Sequence, residues 1–348
     1  RERLVKALMR VGAALLVLAV GTAAVAAVYV NHYLETPLRV TDAGSPFEIA
    51  AGATFRRVSA NLAERGILDR PLLFRAYARW TGQASQVQAG EYLIKPGTTP
   101  RRLLEQFTSG EVQLYSFTII EGWNQWDLLR ALHDHPQVEV SMTGEDWPAL
   151  LEELGAETGH PEGLFLPETY RFPRGTSDRA VLAQAYDLMQ TTLREEWENR
   201  QQDLAVGSPY EALVLASIVE KETARADERA RIAGVFTRRM QKGMRLQTDP
   251  TVIYGIGPGF NGNLTRRDLQ TDTPYNTYTR AGLPPTPIAL PGRAAIHAAL
   301  HPADGDELYF VATGSDDGSH RFSATKEQHD RAVADYLNEL RKRRRRGM

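Results

Sequence analysis

The chain has 348 residues, 42% hydrophobic and 24% charged, a length and balance that suit two folded domains and exclude collagen-like, disordered and multi-span membrane chains. With zero cysteines, a disulfide scaffold, a thiol nucleophile and a Cys-ligated zinc or iron–sulfur centre are excluded as well. The net charge of −2 conceals an asymmetry: four bases in residues 1–10 and six in 341–346 leave 31 basic and 42 acidic residues between them, or −11. That balance argues against a nucleic-acid partner.

From Val11 to Val30 no residue is charged, and twenty helical residues at about 1.5 Å each span about 30 Å, the thickness of a bilayer's hydrocarbon. One transmembrane helix is therefore expected at 11–30. A cleaved leader is the alternative, but its apolar core is usually only about 7–15 residues long. Arg1, Arg3, Lys6 and Arg10 precede the span, and Arg39 is the sole base in the twenty-five residues after it. The positive-inside rule then places residues 1–10 in the cytoplasm and the rest beyond the inner membrane. With Arg at position 1, the natural chain is expected to extend further. Residues 31–45, with Pro37 and an Ala-Gly-Ser turn, read as a linker.

Three segments then share one layout: an extended run, a turn glycine (Gly52, Gly97, Gly122) and an amphipathic helix. Apolar residues fall six and ten places after each glycine, as Val58 and Leu62, Leu103 and Phe107, Leu128 and Leu132. This spacing marks one helix face. Gly66, Gly82 and Gly110 are placed as helix C-caps, and Thr99-Pro100 as N-cap and first helical residue. A further helix is expected over 70–81. Intervals of 45 and 25 residues between the glycines are too uneven for a solenoid, so 46–160 reads as a compact α+β module with its connecting region.

Beyond Gly163 the helical content rises. Ser208-Pro-Tyr-Glu211 is a capping box with proline at the first helical position, and Ala212–Val219 that follows carries no charge. A helix apolar on every side is buried on every side. Further helices are expected at 227–242, 293–300 and 326–340, with an irregular four-proline stretch at 283–292 and a strand at 309–313.

Glu220 is the first charge after the buried run, followed by Lys221 and Glu222. On a helical wheel Glu220 lies near Leu213 and Ala216 and Glu222 on the opposite side, so helix geometry alone does not choose between them. A carboxyl held against apolar neighbours resists ionisation and serves as a general acid near neutral pH; the plainer alternative is the solvated end of a core helix. His297 and His301 sit four apart, but Ala298 stands where a zinc protease needs glutamate. Ser323-Ala-Thr-Lys326 lacks the companion motifs of a serine acyl-enzyme, and 255–262 follows no nucleotide-binding spacing. The Gln, Asp, Asn and Tyr mixture of LQTDPTVIYG (246–255) and PYNTY (274–278) suits hydrogen bonding and stacking on sugars, although turn and cap duties explain Thr248-Asp249-Pro250 equally well.

Several long motifs in order resemble the endolytic murein transglycosylases, membrane-anchored enzymes that cut nascent peptidoglycan strands. They are EGLFLPETYRF (162–172), LASIVEKET (215–223), ERARIAGVFTRRM (228–240), GMRLQTDPTVIYG (243–255), TPYNTY (273–278), GLPPTPIALPG (282–292) and HRFSAT with His329 (320–329). The resemblance covers roughly 46–338 and implies an α+β chain with a single-pass anchor, a LysM-like module at 46–160, a largely helical catalytic domain at 161–338 and a basic tail at 339–348. It implies Glu220 as the catalytic acid; Tyr170, Gln247, Asp249, Tyr275, Asn276 and Tyr278 are the candidates for lining a sugar groove beside it, and Glu168 the candidate accessory carboxylate. One departure stands out: the family usually has Tyr-Asn-Arg where this chain has Phe236-Thr237-Arg238. No cofactor or metal is expected. The implied partners are glycan strands, penicillin-binding proteins and other cell-wall synthesis proteins. A non-catalytic peptidoglycan-binding scaffold and an ordinary hydrolase are the rival readings.

Overall fold

The computed structural model describes residues 2–41 and 43–346. It divides into two compact units, Arg1–Tyr115 with Phe172–Arg174, and Ser116–Arg171 with Gly175–Met348.

In the first unit, α1 (Glu2–Glu35) is a single helix of 34 residues. Its stretch Met9–Glu35 is long and apolar enough to cross a membrane, with mean hydropathy 2.4 and none of its most apolar window buried. The helix continues past the expected end of the span, so the linker expected at 31–45 begins only after Glu35; Asp42 within it lies outside the described residues. The last turn is held from below: Leu34 is buried, and Arg101 donates to Glu35 Oε1 at 2.6 Å and Asn31 Oδ1 at 3.0 Å.

The strand β1 (Ser45–Ile49) leads through α2 (Phe55–Glu64) and α3 (Pro71–Trp80) to β2 (Gly90–Ile94), followed by α4 (Pro100–Ser109) and the start of β3 (Leu114–Thr118), whose last three residues belong to the second unit. β1 and β2 pair antiparallel, Phe47 opposite Tyr92, which makes a βααβ unit with α4 appended. Thr54 and Thr99 cap α2 and α4 through side-chain oxygens that accept from the third residue on. Gly52 and Gly97 stand at φ +73° and +82° in the turns, a region that favours glycine. The faces read from spacing meet inside: Leu62, Phe74, Tyr92, Leu103 and Phe107 are fully buried, and the Tyr92 and Phe107 rings meet edge to face at 4.8 Å.

The second unit contains α5 (Gln125–His133), β4 (Val138–Glu139), α6 (Trp147–Glu153), most of β5 (Thr169–Pro173), β6 (Thr176–Ser177), α7 (Asp178–Glu198), α8 (Pro209–Glu222), α9 (Arg229–Gln241), α10 (Asp249–Ile256), α11 (Arg266–Gln270), α12 (Arg293–Leu300), β7 (Tyr309–Ala312), β8 (His320–Ser323) and α13 (Lys326–Arg346). α8 is the axis. Ala212 to Val219 are all buried, because α7, α9, α10 and α12 pack around it. Ser208 caps it by accepting from Glu211 N, and the Glu211 carboxylate reaches back one residue further than a capping box requires, to Gly207 N at 2.6 Å.

Two boundaries differ from the sequence reading. The first unit ends at Tyr115 rather than near 160, because the third strand-helix copy sends its helix into the second unit, where Gln125 N donates to Glu162 Oε2 at 3.1 Å. α9, expected as a helix over 227–242, turns one of its bases inward: Arg239 is buried and donates to the Leu308 and Leu246 carbonyls. The expected basic tail is helical through Arg346 as the end of α13, with Arg343 Nη1 on Asp316 Oδ1 at 2.7 Å. Arg1 of the N-terminal basic segment and the last two residues of the tail, Gly347 and Met348, lie outside the described residues.

Candidate active site

Glu220 ends the buried run of α8 with its side chain 6% exposed. Its Oε2 accepts from the backbone N–H of Gly292 at 3.0 Å. Gly292 is the N-cap of α12, so the positive end of a helix faces the carboxyl. Arg229 stands between two acids, its Nη2 at 3.9 Å from Glu220 Oε1 and 3.8 Å from Glu121 Oε2. Lys221 turns outward, and its Nζ donates to Gly122 O at 3.1 Å. Burial pushes the Glu220 carboxyl above the usual glutamate range. The neighbouring Glu121 charge adds to this, while the Gly292 N–H, Arg229 and Lys221 oppose it. A proton is thereby held by an acid that retains an N–H donor and a cation to receive its charge once the proton leaves.

Glu222 points elsewhere. Burial also raises its carboxyl, but its Oε1 accepts the Thr248 hydroxyl at the N-cap of α10, an engaged structural link. Glu162 is a further buried acid, fully enclosed. Its Oε2 accepts from Gln125 N at 3.1 Å and Tyr254 OH at 2.9 Å. Desolvation pushes its carboxyl up to about 7.

The other sequence-nominated residues divide into groups. Gln247, Asp249, Tyr275, Asn276 and Tyr278 are brought together by the packing of 247–249 against 275–278: Gln247 N donates to Thr277 O at 3.2 Å, and Tyr278 OH to Asp249 Oδ1 at 2.5 Å. Gln247 is exposed with φ +52°, a left-handed conformation that costs a non-glycine residue about 1–3 kcal/mol. Asn276 is fully buried, and its Nδ2 donates to the carbonyls of Asp268, Leu269 and Thr271. It therefore closes the end of α11. Tyr275 OH meets Thr286 Oγ1 at 2.8 Å. Tyr170 is buried with its hydroxyl on Leu166 O at 2.6 Å. Glu168 is exposed and accepts from Thr169 N at 2.8 Å. In the departing Phe236-Thr237-Arg238, Phe236 and Thr237 are buried, and Phe236 meets Phe310 edge to face at 5.7 Å.

Glu121, Glu162, Arg229 and Gly292 were not singled out from sequence. Glu162, Arg229 and Gly292 lie within the motifs at 162–172, 228–240 and 282–292, but nothing local marks their roles: Gly292 and Glu162 act through partners more than thirty residues away, and Arg229 joins Glu220 to the distant Glu121. Glu196, His297 and His301 offer ligand atoms within 4.8 Å of one another. Their geometry is that of a hydrogen-bonded cluster: Arg293 Nε donates to Glu196 Oε1 at 2.9 Å, His297 Nδ1 meets Oε2 at 2.8 Å, and His301 Nε2 faces Asn199 O at 2.9 Å.

These features describe a mixed α and β protein with one apolar N-terminal helix and a buried acid at the end of its central helix. A model of the YceG-like family matches residues 47–335, and the chain belongs to that family. It is 30% identical over 312 residues to the endolytic murein transglycosylase of Bacillus subtilis, covering 83% of this chain and 84% of that protein. It is 28% identical over 323 residues to the protein of that name from Streptococcus pneumoniae serotype 2, of whose length it spans 58%. A crystal structure of a YceG-like protein from Listeria monocytogenes aligns with a TM-score of 0.50 at 27% identity, covering 84% of this chain and 99% of that one.

Proposed function

We propose that this chain is a lytic transglycosylase that cuts peptidoglycan glycan strands internally, with Glu220 as its general acid and base. The observation that carries this reading is the placement of Glu220: almost enclosed, raised by burial, and facing both an N–H donor and a guanidinium. Relatives at 28–30% identity bear the name endolytic murein transglycosylase.

In the proposed reaction, protonated Glu220 gives its proton to the oxygen between C1 of an N-acetylmuramic acid and the next N-acetylglucosamine, and the C1–O bond breaks. The Glu220 carboxylate, steadied by Gly292 N–H and Arg229, then takes the proton of the C6 hydroxyl of the same muramic acid. Its oxygen closes on C1. The proton returns to Glu220, no water is consumed, and the new end is a 1,6-anhydro sugar. Since a single group makes both transfers, the second carboxylate of an ordinary glycosidase is not required. Proton transfer of this kind is worth about 10²–10⁴ in rate.

The βααβ arrangement of β1, α2, α3 and β2 supports a LysM-like, glycan-binding role for the first unit. The apolar length of α1 and the bases before it support an inner-membrane anchor with residues 1–10 cytoplasmic and the remainder outside. Penicillin-binding proteins and other cell-wall synthesis proteins are the proposed partners, and the proposed outcome is termination of strand growth. The test is to incubate the full chain, in detergent micelles, with uncrosslinked glycan strands and to weigh the products. Anhydro ends support the reading. Reducing ends that have gained water would make the enzyme a hydrolase, and intact strands with retained binding would make it a scaffold.

A further inference from the structure

Beside the acid, the second unit opens a cleft of about 490 Å³, within the ~300–1,000 Å³ typical of small-molecule sites. Trp126, Tyr254, Phe260 and Ile288 line it, with Arg130 and Lys221 among its polar groups. Trp126 stays 37% exposed, which leaves part of its ring open to the cleft. It stands 5.6 Å from Tyr254 at an interplanar angle of 35°, so the two rings form a continuous wall.

That wall is built in place. Asn124 caps α5 through both Trp126 N and Asp127 N at 3.0 Å, which fixes the turn that carries Trp126. Buried Glu162 ties α5 to α10 by accepting from Gln125 N and Tyr254 OH on one oxygen. Gly257, at φ +72°, brings the next turn against Trp126: a Cβ there would stand 3.9 Å from Trp126 Cη2.

The cleft also adjoins the acid. Gly122 and Lys221 line it, and a Cβ at Gly122 would stand 3.9 Å from Glu220 Cγ. Two cations, Arg130 and Lys221, and one acid, Asp127, line the cleft, Arg130 Nη2 standing 3.9 Å from Asp127 Oδ1, although the region between the chain's basic ends is strongly acidic. A cationic lining against that background favours an anionic ligand.

We propose that this cleft is a saccharide subsite. It takes the N-acetylated sugar adjoining the bond Glu220 cleaves, the ring face on Trp126 and a carboxylate-bearing substituent toward Arg130 and Lys221. Aromatic walls with a few placed polar groups are the usual means of fixing such a ring. The proposal rests on the transglycosylase reading for the identity of its ligand.

The test uses the full chain carrying Glu220→Gln in detergent micelles, titrated calorimetrically with uncrosslinked peptidoglycan strands and, separately, with uncharged chitin oligomers. Trp126→Ala should weaken binding of both by about tenfold, while Trp126→Phe, which keeps a ring, should retain affinity within about threefold. Arg130→Ala should weaken the carboxylate-bearing strands and leave the chitin oligomers unaffected. In the otherwise wild-type enzyme, Trp126→Ala should raise KM and leave the anhydro product unchanged. Wild-type affinity in a folded Trp126→Ala, or equal losses on both ligands in Arg130→Ala, would overturn the subsite. Failure of the parent reading shows itself separately, as reducing ends or intact strands from the wild-type chain.

Discussion

The N–H of Gly292 donates to Glu220 Oε2 at 3.0 Å, while a Cβ on Gly292 would stand 1.9 Å from Glu121 Oε1. One glycine thus brings two carboxyl groups to the same helix end. The Glu121 charge raises the Glu220 carboxyl. Gly292→Ala meets only the far end of a flexible side chain, and its φ of −73° suits alanine, so the variant should fold with the Glu121 carboxylate displaced. A general acid works when protonated, so the rate falls as pH rises through its pKa. Removing the Glu121 charge lowers that pKa, leaving burial, Arg229, Lys221 and the 292 N–H to set it. Both Gly292→Ala and Glu121→Gln should therefore move the basic limb of kcat/KM toward lower pH. An unmoved limb in Glu121→Gln would deny the coupling.

Glu220→Gln keeps size and hydrogen bonding but has no transferable proton, so cleavage should fall by about 10² or more. Folding should persist, because an amide replaces a carboxyl already resisting ionisation. Glu222→Gln and Glu168→Gln should lose less. Their carboxylates are committed to Thr248 and to the backbone of Thr169. Full activity in Glu220→Gln would remove the catalytic assignment.

Sequence legibility tracked the range of the interactions. The three glycine turns and the faces of Val58, Leu62, Leu103, Phe107, Leu128 and Leu132 were readable because turn and helix period are local, and all six side chains are buried. The all-round burial of α8 was readable for the same reason. Choosing between Glu220 and Glu222 was not possible from the wheel, because both carboxyls are raised by burial and they differ in partners that arrive from 292 and from 248. The unit boundary at Tyr115 was missed because the third strand-helix copy has the pattern of the first two, while Gln125 is bound by an acid 37 residues further on. The linker was overextended because Arg101, far along the chain, holds the last turn of α1.

Glu162 should make the fold depend on pH. Its carboxyl is raised from an ordinary value of 4.5 to about 7, so the folded chain holds that proton more tightly than the unfolded one. The resulting stabilisation is full below the ordinary value and is lost as pH rises through about 7. Two and a half units correspond to about 3 kcal/mol. Glu162→Gln keeps an acceptor for Gln125 N and Tyr254 OH without a charge, so its melting temperature should fall less than that of the wild type between pH 5 and pH 8. Parallel melting curves across that range would show that Glu162 does not carry the effect.

Ser217 connects the buried helix to the loop that presents Gly292. Its hydroxyl donates to Val214 O at 2.7 Å and accepts from Ile288 N at 3.0 Å, with both Ser217 and Ile288 buried. The 283–292 stretch lacks regular structure, and this bond helps hold it in register together with Leu290 N to Trp123 O at 2.6 Å, Gly122 N to Leu290 O at 2.9 Å and Tyr275 OH with Thr286 Oγ1 at 2.8 Å. Ser217→Ala strands a buried N–H, which costs about 1–3 kcal/mol, measurable by chemical denaturation. The freed loop carries both the donor to Glu220 and Ile288 of the cleft wall, so kcat should fall and KM for glycan strands should rise. Lost stability with wild-type kcat would show that the loop keeps Gly292 in place without Ser217. An unchanged stability would mean that Ile288 N–H finds another partner, and that the positioning of the acid does not depend on this contact.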